Sequence, residues 1–600
     1  MKQTSLSKFA QTLAVAAGWR LALVVSIAAA CSFTEGIGVV LLIPTLQAAG
    51  INLIGQGNVG RYAQVISLAF QRVGITPTLP ILLLAFIVLV STRTLMATLE
   101  VIAGSSVQQR FVRTLRERLY RSIASADWLF LCRKKSADLV HALTAEIERI
   151  GIAAKYAEML AVDSLVSAVY VFIALALSMW VSILVLVAGM ILMLVLRGRT
   201  RALQETGAEI SRANQGLYGA AMDHVQNLKA VKAYNSEARD GEAFAGLSGR
   251  VAAACQETAR RLALMSWWVE TGSVAILGSA VYVSVRVFSA APAEIMILLL
   301  VFARLMPRLI AAHRDYQGLL NDLPAFGIVT NLEKECRAAE EIVAPGQPVR
   351  LGRRLELRDI SFAYLTGAKP VVDQINISID AGQIVAIVGV SGSGKSTLAD
   401  IIMGLLKPDA GQVLVDGAPI AESNLRSWRE QIGYVSMDTV LFHGTVRSNL
   451  LWAHPQATEE EFWEALSAAA ADDLVRRLPD GLDTVVGDRG SLLSQGERQR
   501  LAIARALLRQ PSMLIFDEAT NSLDSENEAR VLGAVDRLRG RVTTLLIAHR
   551  PSTIERADVV YLIDRGKVVE SGDWQTLFAK QHSRIRAIYE RNNLHDAMRS

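Results

Sequence analysis

Ile384-Val-Ala-Ile-Val388 runs directly into Gly389-Val390-Ser391-Gly392-Ser393-Gly394-Lys395-Ser396-Thr397, and the second half of the chain is read outward from this stretch. Five apolar residues rich in Val and Ile predict a buried strand. The loop behind it has the spacing G-x-x-x-x-G-K-[ST], and Thr397-Leu-Ala-Asp-Ile-Ile-Met403 continues as a helix. Glycines at these positions let backbone N–H groups converge on phosphate oxygens, and the helix N-terminus adds a partial positive charge. Lys395 is placed to reach β- and γ-phosphates, and the Ser396 hydroxyl to sit on Mg²⁺. The bland alternative is a glycine-rich turn with an incidental lysine, and only the rest of the chain decides between them.

At 600 residues the chain is too long for one core, so two or more domains are expected. It is 52% hydrophobic and only 20% charged, which points to a membrane-embedded part. The net charge of +5 is small for this length and gives no case for nucleic acid as a partner. Cys31, Cys132, Cys255 and Cys336 are far apart, which predicts free thiols and neither disulfides nor a zinc site.

A membrane helix needs roughly 20 mostly apolar residues. Windows of that kind fall near 20–47, 79–103, 158–180, 181–197, 262–288 and 291–312. The first lies behind Lys2 and Lys8 but is too long for the core of a cleaved signal, so it reads as a first span. The third and fourth touch at Ser178-Met-Trp-Val-Ser182, which predicts a tight hairpin. Residues 105–157 and the ends of 197–261 are rich in Arg and Lys; by the positive-inside rule both connections and both termini are cytoplasmic. Turns are expected at Asp127–Cys132 and at Leu217–Met222. In the 49–78 connection, Tyr62, Val65, Ile66, Ala69 and Val73 predict an amphipathic helix at the outer surface. Among charges within the spans, Arg93, Arg304 and Arg308 are candidates for lining a substrate cavity, with snorkelling as the alternative for the last two. Glu35 and Glu270 are the other notable ones.

Around 331–350 the sequence turns polar, and an α/β pattern follows. Met513-Leu-Ile-Phe-Asp517-Glu518 predicts a strand ending in two carboxylates: Asp517 to hold Mg²⁺, Glu518 to polarise an attacking water. Leu493-Ser494-Gln495-Gly496-Glu497 opens another helix with a serine hydroxyl at its start, a second phosphate-binding device.

With these motifs in order, the chain resembles an ABC transporter half-molecule of the exporter type over residues 15 to 585, its first span being similar to that of the lipid-linked oligosaccharide flippases. The resemblance implies a multi-domain protein: an all-α six-helix transmembrane domain (1–330), a linker (331–350), an α/β P-loop ATPase domain (351–590) and a tail (591–600). Gly389–Ser396 matches the Walker A motif, and Leu514–Asp517 closes the Walker B motif. Ser494, Gln495, Gly496 and Glu497 match the signature, Ser522-Leu-Asp524 the D-loop, His549 the switch histidine and Tyr364 the residue that stacks on adenine. It further implies ATP and Mg²⁺, Glu518 and His549 as catalytic residues, and coupling helices at the two cytoplasmic turns. The signature of one chain would act on ATP held by a second copy, as a homodimer, with a heterodimer left open. The setting would be the inner membrane of a bacterium, with ATPase domains in the cytoplasm. Two departures stand out. Met437 replaces the Q-loop glutamine, and a thioether is a poor ligand for a hard cation; Glu497 replaces a commoner Gln.

The expected function is ATP-driven export or flipping of an amphipathic substrate, anionic if Arg304 and Arg308 line the cavity. A lipid-linked sugar, lipid, peptide or drug all fit. An ATP-gated channel or regulator, and an importer with the exporter fold, are the readings that compete.

Overall fold

The computed structural model describes residues 2–48, 78–177, 179–286, 292–342, 348–365, 367–519, 525–548, 550–580 and 583–586. The chain divides into two compact units, residues 1–126 with 130–340, and residues 127–129 with 341–600.

The first unit is helical. After α1 (Lys2–Ala17) come α2 (Trp19–Ala48), α3 (Leu79–Ala124), the short α4 (Trp128–Cys132) and α5 (Ser136–His141), then α6 (Ile147–Leu177) and α7 (Met179–Gln226), the short α8 (Leu228–Ala233), α9 (Glu237–Arg286) and α10 (Pro292–Ala338). Each expected span begins within, or one residue ahead of, one of the six long helices α2, α3, α6, α7, α9 and α10. Among the described residues, three helical segments carry a window apolar enough to cross a membrane: Leu79–Ala124, Ser136–Ala176 and Glu237–Arg286. Leu6–Ala17 and Trp19–Thr34 pass together as a pair bent by 97°. Gly18 makes that bend at φ +56°, where a residue with a Cβ is strained. The outer faces of α3 and α7 carry exposed Leu84, Ile87, Val187 and Leu194, as helices solvated by lipid do. The expected outer amphipathic helix at 62–73 lies outside the described residues.

Two sequence expectations need correction. The turn expected at Leu217–Met222 falls inside α7. Tyr218 packs there on the His141 ring at 4.9 Å, and the helix runs on to Gln226. The turn comes at Asn227, whose side-chain amide donates to the Asp223 carbonyl at 2.8 Å, and at Asn235, which takes φ +49°. Asn tolerates that region better than most residues. The polar linker expected from 331 also begins later, because α10 continues to Ala338. Its polar composition hides a buried face, with Val329 and Cys336 inside, and an ionic one. Glu333 pairs with Arg118 at 2.9 Å and Arg337 at 2.6 Å, while Glu335 pairs with Lys134 at 2.7 Å.

Where α6, α7 and α10 converge, the helices are locked by one buried arginine. Arg149 pairs with Asp322 at 3.1 Å and Glu146 at 3.6 Å, donates to the carbonyls of Gly207 and Asn321, and bonds the Ser211 hydroxyl. Phe9 of α1 packs edge-on against Phe111 and Phe326, so α1 closes the same core. The cysteines are free thiols.

The second unit is α/β. An antiparallel sheet orders its strands β2 (Val372–Asp380), β1 (Arg354–Phe362), β4 (Ala410–Val415), β5 (Ala418–Pro419). A six-stranded sheet orders β10 (Lys567–Gly572), β9 (Val559–Asp564), β3 (Ile384–Val388), β8 (Thr543–Ile547), β7 (Met513–Asp517), β6 (Ile432–Ser436). Strand β3 pairs in parallel with β8 and β9. All five of its residues are buried, as expected for a parallel strand covered on both faces. Helix α11 (Lys395–Ile402) leaves β3 through the glycine loop, and Trp428 of α12 (Leu425–Glu430) donates its indole N–H to the Ile402 carbonyl at 2.7 Å.

Removing Arg149 leaves two buried carboxylates without their cation, which typically costs about 3–5 kcal/mol. Arg149→Met is expected to lower the thermal unfolding midpoint of the detergent-solubilised protein markedly. Arg113→Met, in an exposed pair on α3, is expected to leave it within a degree or so, since exposed pairs contribute about 0–1 kcal/mol. Equal midpoints for the two variants would refute the role given to Arg149.

Candidate functional site

The site forms at the ends of β3 and β7. Gly389 takes φ +156°, and a Cβ there would lie 2.2 Å from the Ile563 carbonyl oxygen. Gly394 takes φ +104°, and a Cβ there would lie 2.7 Å from the Val371 carbonyl. Both positions therefore demand glycine, and the loop they shape opens α11 at Lys395. Val390 and Ser391 are exposed and Gly392 open, while the Ser393 hydroxyl is buried without a hydrogen-bond partner. A backbone cradle with an unsatisfied donor inside it fits a phosphate group.

The lysine ammonium is held where that phosphate would sit. Lys395 Nζ donates to the carbonyls of Gly389 at 3.0 Å and Val390 at 3.2 Å, and lies 3.9 Å from Glu518 Oε1. Burial lowers its pKa, and the carboxylates of Glu518 and Asp517 oppose that shift. Ser396 Oγ donates to Asp517 Oδ1 at 3.1 Å. These two hard oxygens suit Mg²⁺. Asp517 ends β7, in register with Ser436 of β6 and Ile547 of β8. Glu518 then leaves the sheet at φ +49°, its N–H donating to the Ile547 carbonyl at 3.0 Å. Such a conformation in a non-glycine residue is uncommon and is found at functional sites.

Two participants escaped the sequence reading. Tyr434 of β6 hydrogen-bonds Asp517, and partial burial together with that carboxylate raises the pKa of the phenol. Asp400 sits one turn beyond Ser396 on α11; burial, then the charge of Asp517, pushes its carboxyl up to about 6. The i, i+4 spacing of Ser396 and Asp400 was a legible signal; nothing in the sequence marked Tyr434. Asp517 is likewise raised, chiefly by burial, with the Ser396 hydroxyl opposing.

Other candidates fall in several places. The Tyr364 hydroxyl shares a hydrogen bond with Thr397 Oγ1 at 3.0 Å, which seats the expected adenine-stacking ring beside the first turn of α11. Ser494 caps helix α13 (Gln495–Leu507), accepting from the Glu497 N–H at 3.3 Å, while the Glu497 carboxylate accepts from the Ser494 N–H at 2.7 Å. The unusual Glu497 thus completes a capping box around Gln495 and Gly496. Asp524 and His549 lie outside the described residues. Met437 is half exposed just beyond β6.

In the first unit, Arg308 pairs with Asp163 at 3.0 Å and lines a cavity of about 540 Å³ shared with Glu100, Lys155, Glu158 and Asp315. Arg93 is half-buried and Arg304 exposed; neither lines that cavity. Arg308 is neutralised by Asp163 in a cavity of mixed charge, so it gives the anionic preference no support.

Residues 372–521 match the ABC transporter family, and residues 36–307 match the ABC transporter transmembrane region. An ATP-dependent lipid A-core flippase of Syntrophus aciditrophicus is 32% identical over 490 residues, 80% of each chain. The heterocyst differentiation ATP-binding protein HepA of Nostoc is 29% identical over 512 residues, 84% of this chain and 83% of its own. A bacterial Atm1-family ABC exporter solved with ATP bound superposes with a TM-score of 0.79 at 24% identity, covering 95% of this chain and 98% of that one; the exporter fold is shared.

The raised Asp400 carboxyl fixes a sign. Its folded pKa of about 6 lies above the ordinary 3.8, so the folded state holds the proton more tightly. The contribution of Asp400 to stability is greatest at low pH and falls as pH rises through about 4 to 6. Asp400→Asn is therefore expected to stabilise the nucleotide-free protein at pH 7.5 by about 1–3 kcal/mol, the upper figure reduced by solvent screening. The gain should shrink to about a third near pH 4.5 and vanish below about pH 3. A gain independent of pH, measured by thermal unfolding across that range, would count against this account.

Proposed function

Given that the chain belongs to the ABC transporters, with a membrane region ahead of its ATPase domain, we propose that it moves an amphipathic substrate across the membrane as a pair of identical chains. Each ATPase domain faces the cytoplasm of a bacterial inner membrane in this reading, which the Arg- and Lys-rich connections support. The observation that carries it is the meeting of Lys395, Ser396, Asp517 and Glu518 at the ends of two neighbouring strands.

The work of these residues follows from their chemistry. The loop N–H groups and the Lys395 ammonium neutralise the charge of a triphosphate and hold its terminal phosphoryl in line for attack. Ser396 and Asp517 are the residues that would hold Mg²⁺, which would supply further neutralisation of the triphosphate's charge. Glu518 accepts a proton from the attacking water. Ser494, Gly496 and the start of α13 act on the nucleotide of the second copy. His549 and Asp524 complete the arrangement. Hydrolysis then resets the membrane helices.

The substrate class rests on different evidence. A membrane domain with a charged cavity of mixed sign supports a molecule with a polar head and an apolar body. The relative in Syntrophus is named for flipping lipid A-core, which favours a glycolipid without selecting one. A headgroup of both signs, or with sugar hydroxyls beside an anion, suits Arg308, Glu100 and Glu158 better than a simple anion does.

The test is ATP turnover and lipid translocation in proteoliposomes across candidate amphiphiles. Glu518→Gln is expected to lower kcat by at least about 100-fold while nucleotide binding persists. Turnover near wild type would remove Glu518 from its role, and ATPase activity indifferent to every amphiphile would count against transport. Met437→Gln is expected to lower the Mg²⁺ concentration for half-maximal turnover several-fold, because an amide oxygen replaces a thioether. An unchanged Mg²⁺ dependence would show that Met437 leaves metal binding untouched.

A further inference from the structure

A second cavity in the first unit, of about 390 Å³, is built unlike the charged one. Four helices enclose it, α6, α7, α9 and α10, with apolar walls such as Val185, Val269, Phe302 and Leu305. Its size falls within the range of small-molecule sites and exceeds an apolar cavity of 150 Å³ that takes up benzene.

Its one unsatisfied polar group is specific. Ser182 lines the cavity, is 2% exposed, and its hydroxyl has no hydrogen-bond partner. Ser273, on the same cavity, closes onto the preceding turn by donating to the Val269 carbonyl at 2.7 Å, as Ser284 does to Ala280 at 2.7 Å. Ser182 does not, so a buried donor is left open to whatever fills the space.

The mouth shows what that is. Ser182, Leu186 and Met190 follow one another at i, i+4 and i+8 on α7, all three on the cavity. Leu186 is 38% and Met190 67% exposed, on a helix face that also exposes Val187 and Leu194. In the single chain the cavity therefore opens along an apolar stripe, a face that suits hydrocarbon better than water. Ser182 lies just inside the hairpin joining α6 to α7. From there to Leu192, the farthest lining residue on α7, is about 15 Å along the helix axis, half of a hydrocarbon core ~30 Å thick.

We infer that this cavity takes one ester-linked acyl chain of a bilayer phospholipid. The Ser182 hydroxyl donates to the ester carbonyl, and the hydrocarbon runs along the apolar walls towards the middle of the membrane. The site shares no lining residue with the charged cavity proposed for the transported headgroup.

Full-length protein in nanodiscs, with phosphatidylethanolamine carrying a mid-chain diazirine, tests this. After irradiation, crosslinked peptides are expected to concentrate on residues 185–192, 269–276 and 302–310, several-fold above the exposed apolar face of α3 around Leu84 and Ile87. Gly189→Leu points a side chain into space that no atom occupies within 4 Å of the added Cβ, and should reduce that labelling severalfold. Ser182→Ala, a smaller change that keeps the helix, should reduce labelling by the ester lipid roughly two- to tenfold. Labelling by an ether-linked analogue should stay as it was. Uniform labelling of α3 and α7, labelling insensitive to Gly189→Leu, or equal effects of Ser182→Ala on ester and ether lipids would each overturn the assignment. Crosslinks from these segments to a second copy of the chain in place of lipid would do so too.

Discussion

The Lys395 ammonium is 4% exposed, and taking a cation out of water that far is costly unless oxygens surround it. Here the oxygens are two carbonyls of the loop itself and, farther off, the carboxylate of Glu518. Loop shape and ammonium position are thus a single constraint. Gly389 and Gly394 bend the chain so that the carbonyls face inward, and the strained Glu518 brings a carboxylate to the same place. An incoming phosphate offers the ammonium stronger partners than the carbonyls do. The resting contacts therefore act as placeholders that keep the side chain aimed.

The first unit solves a related problem in two opposite ways. At Arg149 the buried charge is closed off, with carboxylates, carbonyls and a hydroxyl arranged around the guanidinium, and the result is a rigid junction of three helices. At Arg308 the pairing with Asp163 is open on one side to a cavity carrying further charges of both signs. A satisfied network specifies one packing; an open one leaves room for a ligand. The apolar cavity at Ser182 is the third case, with almost nothing polar to satisfy except one hydroxyl. Three environments of this kind on the same bundle differ in polarity alone: closed ionic, open ionic and apolar.

How much of this was legible in the sequence depended on whether the signal was local. The strand Ile384–Val388, the loop behind it and the strand ending at Asp517 are each written in a short contiguous pattern, and the structure places them within a residue or two. The turn expected at Leu217–Met222 lies instead after α7, because Asn227 and Asn235 make it through side-chain hydrogen bonding and a tolerated positive φ. The extent of α10 was misread because 331–338 looks polar, and its pairing with Arg118 and Lys134 is long-range. The same applies to Tyr434, whose partner Asp517 lies eighty-odd residues away and becomes a neighbour only through β6–β7 pairing. No composition or spacing rule sees such a contact.

That pairing also bears on the odd residue at 437. Ser436, one residue ahead of Met437, stands in register with Asp517, so its hydroxyl is a candidate partner for that carboxylate. Instead Ser436 Oγ donates to the Asp438 carbonyl at 2.9 Å, which commits it to the local turn. The orientation of the Asp517 carboxylate is then left to the hydroxyls of Ser396 and Tyr434, which approach from α11 and β6. A carboxylate fixed by two donors has fewer lone pairs for other work, yet it is held still, and a hard cation gains more from fixed oxygens than from an additional soft ligand. Neither the Ser396 nor the Tyr434 contact to Asp517 involves Met437.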